Sequence, residues 1–156
     1  MLLKKELSLV IAAILLLCSS SYVMAGQFRT DDGYVIHYNA VSTEMLPSEV
    51  VRSYGIVQSK HRGLLNISVR KGDKKQYLHT KAVFARVTAQ NSNLVGQVKT
   101  LEIQRIEEGS QESKAVYYIA VFSITNAESL EFTVTVDPDY QGKAQKIKFR
   151  QKFFID

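Results

Sequence analysis

The residues LEFTVTVD (Leu130–Asp137) alternate apolar and polar without a break. In an extended chain successive side chains point to opposite faces, so Leu130, Phe132, Val134 and Val136 share one side and Glu131, Thr133, Thr135 and Asp137 the other. Only a strand with one face buried satisfies that pattern. The same period recurs along the chain. YVIHYN (Tyr34–Asn39) opens the series. GLLNISVR sets Leu65, Ile67 and Val69 against Asn66, Ser68 and Arg70. AVFARVTA opposes Val83, Ala85, Val87 and Ala89 to Phe84, Arg86 and Thr88, and VKTLEIQRI opposes Leu101 and Ile103 to Glu102 and Gln104. KIKFRQKFFI aligns Ile147, Phe149, Phe153 and Ile155 opposite Lys146, Lys148, Arg150 and Lys152. AVYYIAVFSI (Ala115–Ile124) is apolar on both faces, as expected of a strand buried mid-sheet.

Turn chemistry separates the runs: TDDG before the first, RKGDKK after GLLNISVR, EEGSQES before AVYYIAVFSI and DPDYQGK before the last. About seven strands with turns between them predict an all-β fold, an immunoglobulin-like antiparallel β-sandwich; a small closed barrel is the alternative. One short helix is predicted in LPSEVVRSYG, with Pro47 at its first position, Glu49 in its first turn and Gly55 as its stop. Leu46 stands where Ser, Thr, Asp or Asn would cap best.

The front end reads as a cleavable signal peptide. Lys4 and Lys5 precede the apolar Leu7–Leu17, interrupted by Ser8, and VMA (Val23–Ala25) offers a cleavage site. At ~1.5 Å per residue that apolar stretch covers about half of a ~30 Å bilayer core, so no transmembrane span is expected. A lipoprotein signal would want a small residue before Cys18, and Leu17 stands there. The expected organisation is a signal over 1–25 and a single domain over 26–156, located in the periplasm.

Cleavage would remove the only cysteine, so neither a disulfide nor a thiolate nucleophile is expected in the mature protein. Taking Lys4, Lys5 and Glu6 away from 20 bases and 15 acids leaves a net charge of +4. That modest charge suits weak attraction to anionic partners. Nucleic acid is excluded as a partner by the expected location.

Catalytic and metal motifs are sparse. The three histidines, His37, His61 and His79, have no ligand spacing and no Cys/His/Asp cluster beside them. DPDYQG (Asp137–Gly142) resembles the start of a calcium loop, but Gln141 and Lys148 stand where ligands are required, and an ordinary turn fits better. No G-x-S-x-G elbow, H-E-x-x-H pair or glycine-rich phosphate loop occurs. NIS (Asn66–Ser68) matches a glycan acceptor in form but lies inside a predicted strand. The chain is therefore not expected to be an enzyme, and no cofactor or metal is expected.

Two basic features are the candidate contacts with an anion or a partner. Lys60, His61 and Arg62 form a triplet on the connection between the helix and the strand that follows. Lys146, Lys148, Arg150 and Lys152 form a ladder on one face of the last strand. Both also have a plain structural reading. The triplet is a solvated loop, with Gly63 allowing a sharp turn into the strand, and the ladder guards an edge strand or pairs with acids such as Glu131.

The words VIHYNA, LPSEVVRSYGI, SKHRGLLNISV, NLVGQ, AVYYIAVF and LEFTVTVDP…IKFRQKFF occur in that order. Together they resemble an uncharacterised family of exported bacterial proteins, the domain of unknown function DUF4426, from about Tyr34 to Phe154. The resemblance implies a periplasmic location and a single immunoglobulin-like sandwich, and it supplies no activity, cofactor or catalytic residue. Leu46 departs from the capping Thr expected before the proline. The expected function is a non-enzymatic binding or accessory module that contacts an envelope protein or an anionic envelope component. The alternative is a small-molecule carrier or sensor with a pocket between the sheets near Tyr117 or Tyr118.

Overall fold

Strands that are apolar on one face must bury that face, and here two antiparallel sheets do so by packing against each other. The computed structural model describes residues 25–73, 79–111 and 113–155; the expected signal peptide, Ala25 apart, lies outside the described residues, as do Lys74 and Lys75 of the RKGDKK turn. The chain begins with β1 (Gly26–Arg29) and β2 (Tyr34–Ser42), followed by a 3-10 turn (Thr43–Met45) and helix α1 (Ser48–Tyr54). Strands β3 (Arg62–Lys71), β4 (Lys81–Ala82), β5 (Ala85–Ser92) and β6 (Val98–Leu101) come next. The last four are β7 (Gln104–Glu108), β8 (Ala115–Ser123), β9 (Ser129–Pro138) and β10 (Gln145–Lys152).

One sheet has the order β1-β2-β3-β8-β7, with β4 also on β3; the other has the order β10-β9-β5-β6. The antiparallel sandwich expected from the alternation is therefore the observed architecture. Two of the predicted strands differ, because each continuous run is shared between the sheets. VKTLEIQRI leaves the second sheet after Leu101, which pairs with Ala89, and joins the first at Gln104, which pairs with Ile119. In the same way Lys81–Ala82 pairs with β3 whereas Ala85 begins the pairing with β9. Alternation persists through both crossings, so nothing in the pattern marks them.

The core lies between the sheets. Ile36, Leu65, Ile67 and Val69 from one side meet Phe132, Val134 and Val136 from the other. Its centre is an aromatic chain: Tyr38 to Phe149 at 4.8 Å, Phe149 stacked on Phe132 at 5.0 Å, Phe132 edge-on to Phe122 at 5.0 Å, and Phe122 edge-on to Phe153 at 5.5 Å. Such geometries add to the burial of apolar area. Two rings of this chain lie over glycines on the neighbouring strand. Gly26 pairs with Tyr38 and Gly63 with Phe122, and a Cβ on either glycine would lie about 2 Å from the facing ring. Gly63 is thus kept by a close approach; its φ is not positive, so the sharp turn expected there is corrected.

A second, smaller apolar cluster sits on the outer face of the first sheet. Ile56, Leu64 and Ile119 are its buried members, with Val41, Leu46, Tyr54, Ile106 and Tyr117 packed around them. Helix α1 and the segment after it cover this face. Pro47 occupies the N-cap rather than the first helical position, and no side chain caps the helix. Leu46 packs into the cluster instead. The helix ends as expected, on Gly55 in the left-handed region at φ 65°.

Candidate functional site

A groove of about 480 Å³ opens where the segment after α1 passes beside the end of β8. Tyr54, Gly55, Ile56 and Val57 form one wall, Glu102, Ile103 and Gln104 the other, and Ile119, Ala120 and Val121 the floor, with Arg62 also lining it. The wall of Glu102–Gln104 is the crossing between β6 and β7. Val57 and Val121 are 57% and 42% exposed, unusually open for valines.

A buried threonine positions the first wall. Thr43 is fully buried; its hydroxyl accepts the Ser59 N–H at 2.9 Å and lies 3.1 Å and 3.0 Å from the carbonyls of Val57 and Ser59, which share its single proton. The loop before β3 is thereby pinned to the end of β2. Gln58 adds a hydrogen bond from Nε2 to the Leu46 carbonyl at 2.8 Å. At the far end of the wall the Tyr54 hydroxyl donates to Glu108 Oε1 on β7. That carboxylate holds the Tyr54 proton, and burial and the adjoining negative charge reinforce it, so its pKa is pushed up to about 12.

The sign of this shift makes a prediction. The unfolded phenol titrates near 10 and the folded one near 12, so the Tyr54–Glu108 tie contributes fully below pH 10 and is lost as the pH rises through 12. A spectrophotometric titration of the native protein is expected to include the Tyr54 phenolate forming only near pH 12, and Tyr54→Phe to remove one phenolate from that late part of the curve.

The structure separates the basic candidates. Lys60, His61 and Arg62 are all exposed, on the turn into β3 and at its first residue, as expected. Of the three, Arg62 lines the groove. Lys146, Lys148, Arg150 and Lys152 lie on the exposed face of β10, which is an edge of the other sheet. There Arg150 Nη2 meets Glu131 Oε2 at 3.3 Å, and the Lys152 ammonium stands 5.0 Å from the centre of the Phe154 ring. The ladder therefore carries the features of a guarded edge, including the cross-strand pair with Glu131.

The two tyrosines expected near a pocket between the sheets are placed apart. Tyr118 is buried in packed core, with its hydroxyl accepting the Ala85 N–H at 2.7 Å, and Tyr117 points to the outer face, in the second cluster. The groove takes Tyr54, Ile56 and Ile119 of the outer cluster into its lining. A polar cleft of about 240 Å³ lies at one end, lined by Asn91, Lys99, Ser123 and Glu128 among others.

The remaining motifs have structural employment. Both Asp137 oxygens accept backbone N–H groups, from Gly142 and Lys143, each at 3.1 Å, which closes the turn. Asp139 Oδ2 accepts the Tyr34 hydroxyl proton at 2.6 Å, and Lys71 and Gln141 donate to the Tyr34 hydroxyl oxygen at 3.0 and 3.1 Å. Burial first, then the bond to Asp139, raises the Tyr34 pKa. His37 is on β2, His61 in a turn, and His79 at a positive φ of 51°. Burial, then the charges of Arg70 and Arg29, lowers the His37 pKa. Among the described residues no three His, Cys, Asp or Glu side chains converge as metal ligands. Asn66 of the glycan-acceptor motif is half-buried mid-strand between Asn39 and Ile119, unlike an acceptor in a surface loop.

Sequence reasoning missed Tyr54, Val57, Glu102, Gln104 and Val121 as groove residues. Val121 sits in a run apolar on both faces, which reads as buried throughout.

A family model described as a domain of unknown function, DUF4426, matches residues 28–156. The crystal structure of a DUF4426 family protein from Pseudomonas aeruginosa PAO1 is similar at 31% identity, covering 85% of this chain and 96% of that one with a TM-score of 0.68. FetP of uropathogenic E. coli strain F11, recombinantly expressed in the periplasm of E. coli BL21(DE3), is similar in fold, at 10% identity over 87% of this chain and 97% of that one, with a TM-score of 0.51. No curated protein matches the chain. Among the described residues no helix is long and apolar enough to cross a membrane.

Proposed function

The chain belongs to the DUF4426 family, a domain of unknown function, and on that premise we propose that it is a non-enzymatic accessory module of the periplasm that binds another envelope protein. The observation that carries this reading is the placement of Arg62. It belongs to the exposed basic triplet and also lines the groove, so charge and a concavity with exposed valines coincide at one place. Interfaces commonly combine an exposed apolar centre with a polar rim in which Arg is enriched. Val57 and Val121 supply the first, and Lys60, His61 and Arg62 the second.

The expected result is that in-cell crosslinking returns a reproducible envelope partner and that Lys60→Glu with Arg62→Glu weakens its capture about tenfold, as reversing charges at an interface rim and centre does. Capture unaffected by the reversal would remove the basic contact.

A small-molecule carrier is the second reading, favoured by the volume of the groove, which falls within the ~300–1,000 Å³ of ligand pockets. A thermal-shift screen separates the two, because a ligand at ~100 times its dissociation constant adds about 2.7 kcal/mol.

A further inference from the structure

We propose that the groove accepts an extended segment of the partner protein as an added strand on the free edge of β8, with an acidic side chain of that segment paired to Arg62. The inference rests on the binding role proposed above and specifies its chemistry.

The register carries it. Strand β7 pairs with β8 from Glu108↔Ala115 to Gln104↔Ile119 and stops there. Strand β8 runs on to Ser123, still paired with β3 as far as Arg62↔Ser123. Beyond Ile119 it therefore has a ladder partner on one side only among the described residues, the crossing from β6 to β7 passing nearby without pairing. In an antiparallel ladder the N–H and C=O of one residue point to the same side, and the side alternates along the strand. The Ile124 N–H donates to the His61 carbonyl at 2.9 Å, toward the β3 side. Phe122 and Ala120 share that direction, so Val121 and Ser123 present their N–H and C=O to the open side. That is the side on which Gln104 meets Ile119.

Three other edge strands carry exposed charges. β10 carries its lysines, β7 carries exposed Arg105, Glu107 and Glu108, and β6 carries exposed Lys99. The β8 segment Ala120–Ser123 has no charged residue, and its outward Val121 is exposed. Charges normally protect edges from uncontrolled pairing, so a bare apolar edge beside a groove is where a strand can be added. Charge sets the chemistry of the occupant. Arg62 stands opposite Ser123 with no carboxylate within ion-pair distance among the described residues, and Glu102 flanks the other end of the groove beside Gln104. An incoming segment thus needs an acid at its Ser123 end, none at its Ile119 end, and apolar side chains over Val121 and Val57.

The test pans a random linear-peptide display library on the purified protein and examines the most enriched peptide by amide hydrogen exchange. Enriched peptides are expected to alternate apolar residues with an Asp or Glu near one end. The Val121 and Ser123 amides should slow by about tenfold or more, as amides entering a ladder do. N-methylation of the peptide on the amides facing β8 should weaken binding about tenfold, whereas methylation of the alternate amides should not, since only one set pairs with β8. Val121→Lys, at an exposed position, should abolish binding while circular dichroism stays native, and Val121→Thr should retain it. No enrichment, protection at other amides, or equal effects of the two methylation patterns would overturn strand addition. In-cell capture that falls with Lys60→Glu and Arg62→Glu but survives Val121→Lys keeps the binding module and rejects the added strand. Capture insensitive to all three substitutions rejects both.

Discussion

Replacing Phe132 by alanine is expected to cost about 3–5 kcal/mol, the range for deleting a buried aromatic side chain together with the cavity it leaves. Phe132 is fully buried, stacks on Phe149 and meets Phe122 edge-on, so both rings lose a face when it goes. Its strand is also held on both sides, by β10 and by β5, which limits collapse into the void. A domain of this size has about 5–15 kcal/mol in all, so the variant loses a large share of it. The midpoint of thermal unfolding should fall by roughly 10 °C or more. Denaturant unfolding checks the prediction. Phe132→Leu, which keeps more of the volume, should cost roughly 1.5 kcal/mol or less. Phe154→Ala, at a residue 66% exposed and touched by Lys152, should stay under about 1 kcal/mol. Equal losses at 132 and 154 would contradict the assignment of the core.

That contrast also shows how far the sequence carries. Phe153 and Phe154 are adjacent, and period two alone places one inside and one outside; Phe153 is buried and Phe154 is not. The same logic recovers the buried sets of β3 and β9 and the exposed basic face of β10. It fails where the backbone changes partners without changing period. Leu101 and Ile103 continue one alternation, yet Leu101 pairs in one sheet and Gln104, one residue beyond Ile103, in the other. Neither glycine nor proline marks the crossing, because an extended chain can leave one edge and join another with ordinary backbone angles. Strand β1 was illegible for a different reason: Gly26–Arg29 is too short and too polar to show a period, and β2 next to it supplies the pairing.

The groove was less legible than the fold. Arg62 was visible as part of an exposed basic triplet. Its neighbours were not, since Glu102 and Gln104 reach the site through the unmarked crossing and Val121 through the early end of β7. Thr43, which pins the wall, looks in sequence like any polar residue before a proline turn. Its role depends on carbonyls 14 and 16 residues away, a relation that only the closed loop creates.

Gly63→Ala is the second large effect expected, a destabilisation of about 1–3 kcal/mol from overpacking. The added Cβ would lie 2.2 Å from Phe122 Cζ and 2.3 Å from Cε2, far inside van der Waals contact. Were the ring free it would swing away and the alanine would gain about 0.4–1 kcal/mol from a stiffer unfolded chain. The ring is not free, because Phe132 and Phe153 meet it at 5.0 and 5.5 Å. The sign is therefore set by the packing. A double-mutant cycle separates this account from a backbone effect at the entrance to β3. Phe122→Leu makes room over residue 63, so in its presence Gly63→Ala should cost less than it does alone, with a coupling of about 0.5–3 kcal/mol. A cost of Gly63→Ala unchanged by Phe122→Leu would mean that the glycine answers to the turn and not to the ring. In that case the strain would fall on Arg62, the groove residue that precedes it, and partner capture would drop with stability.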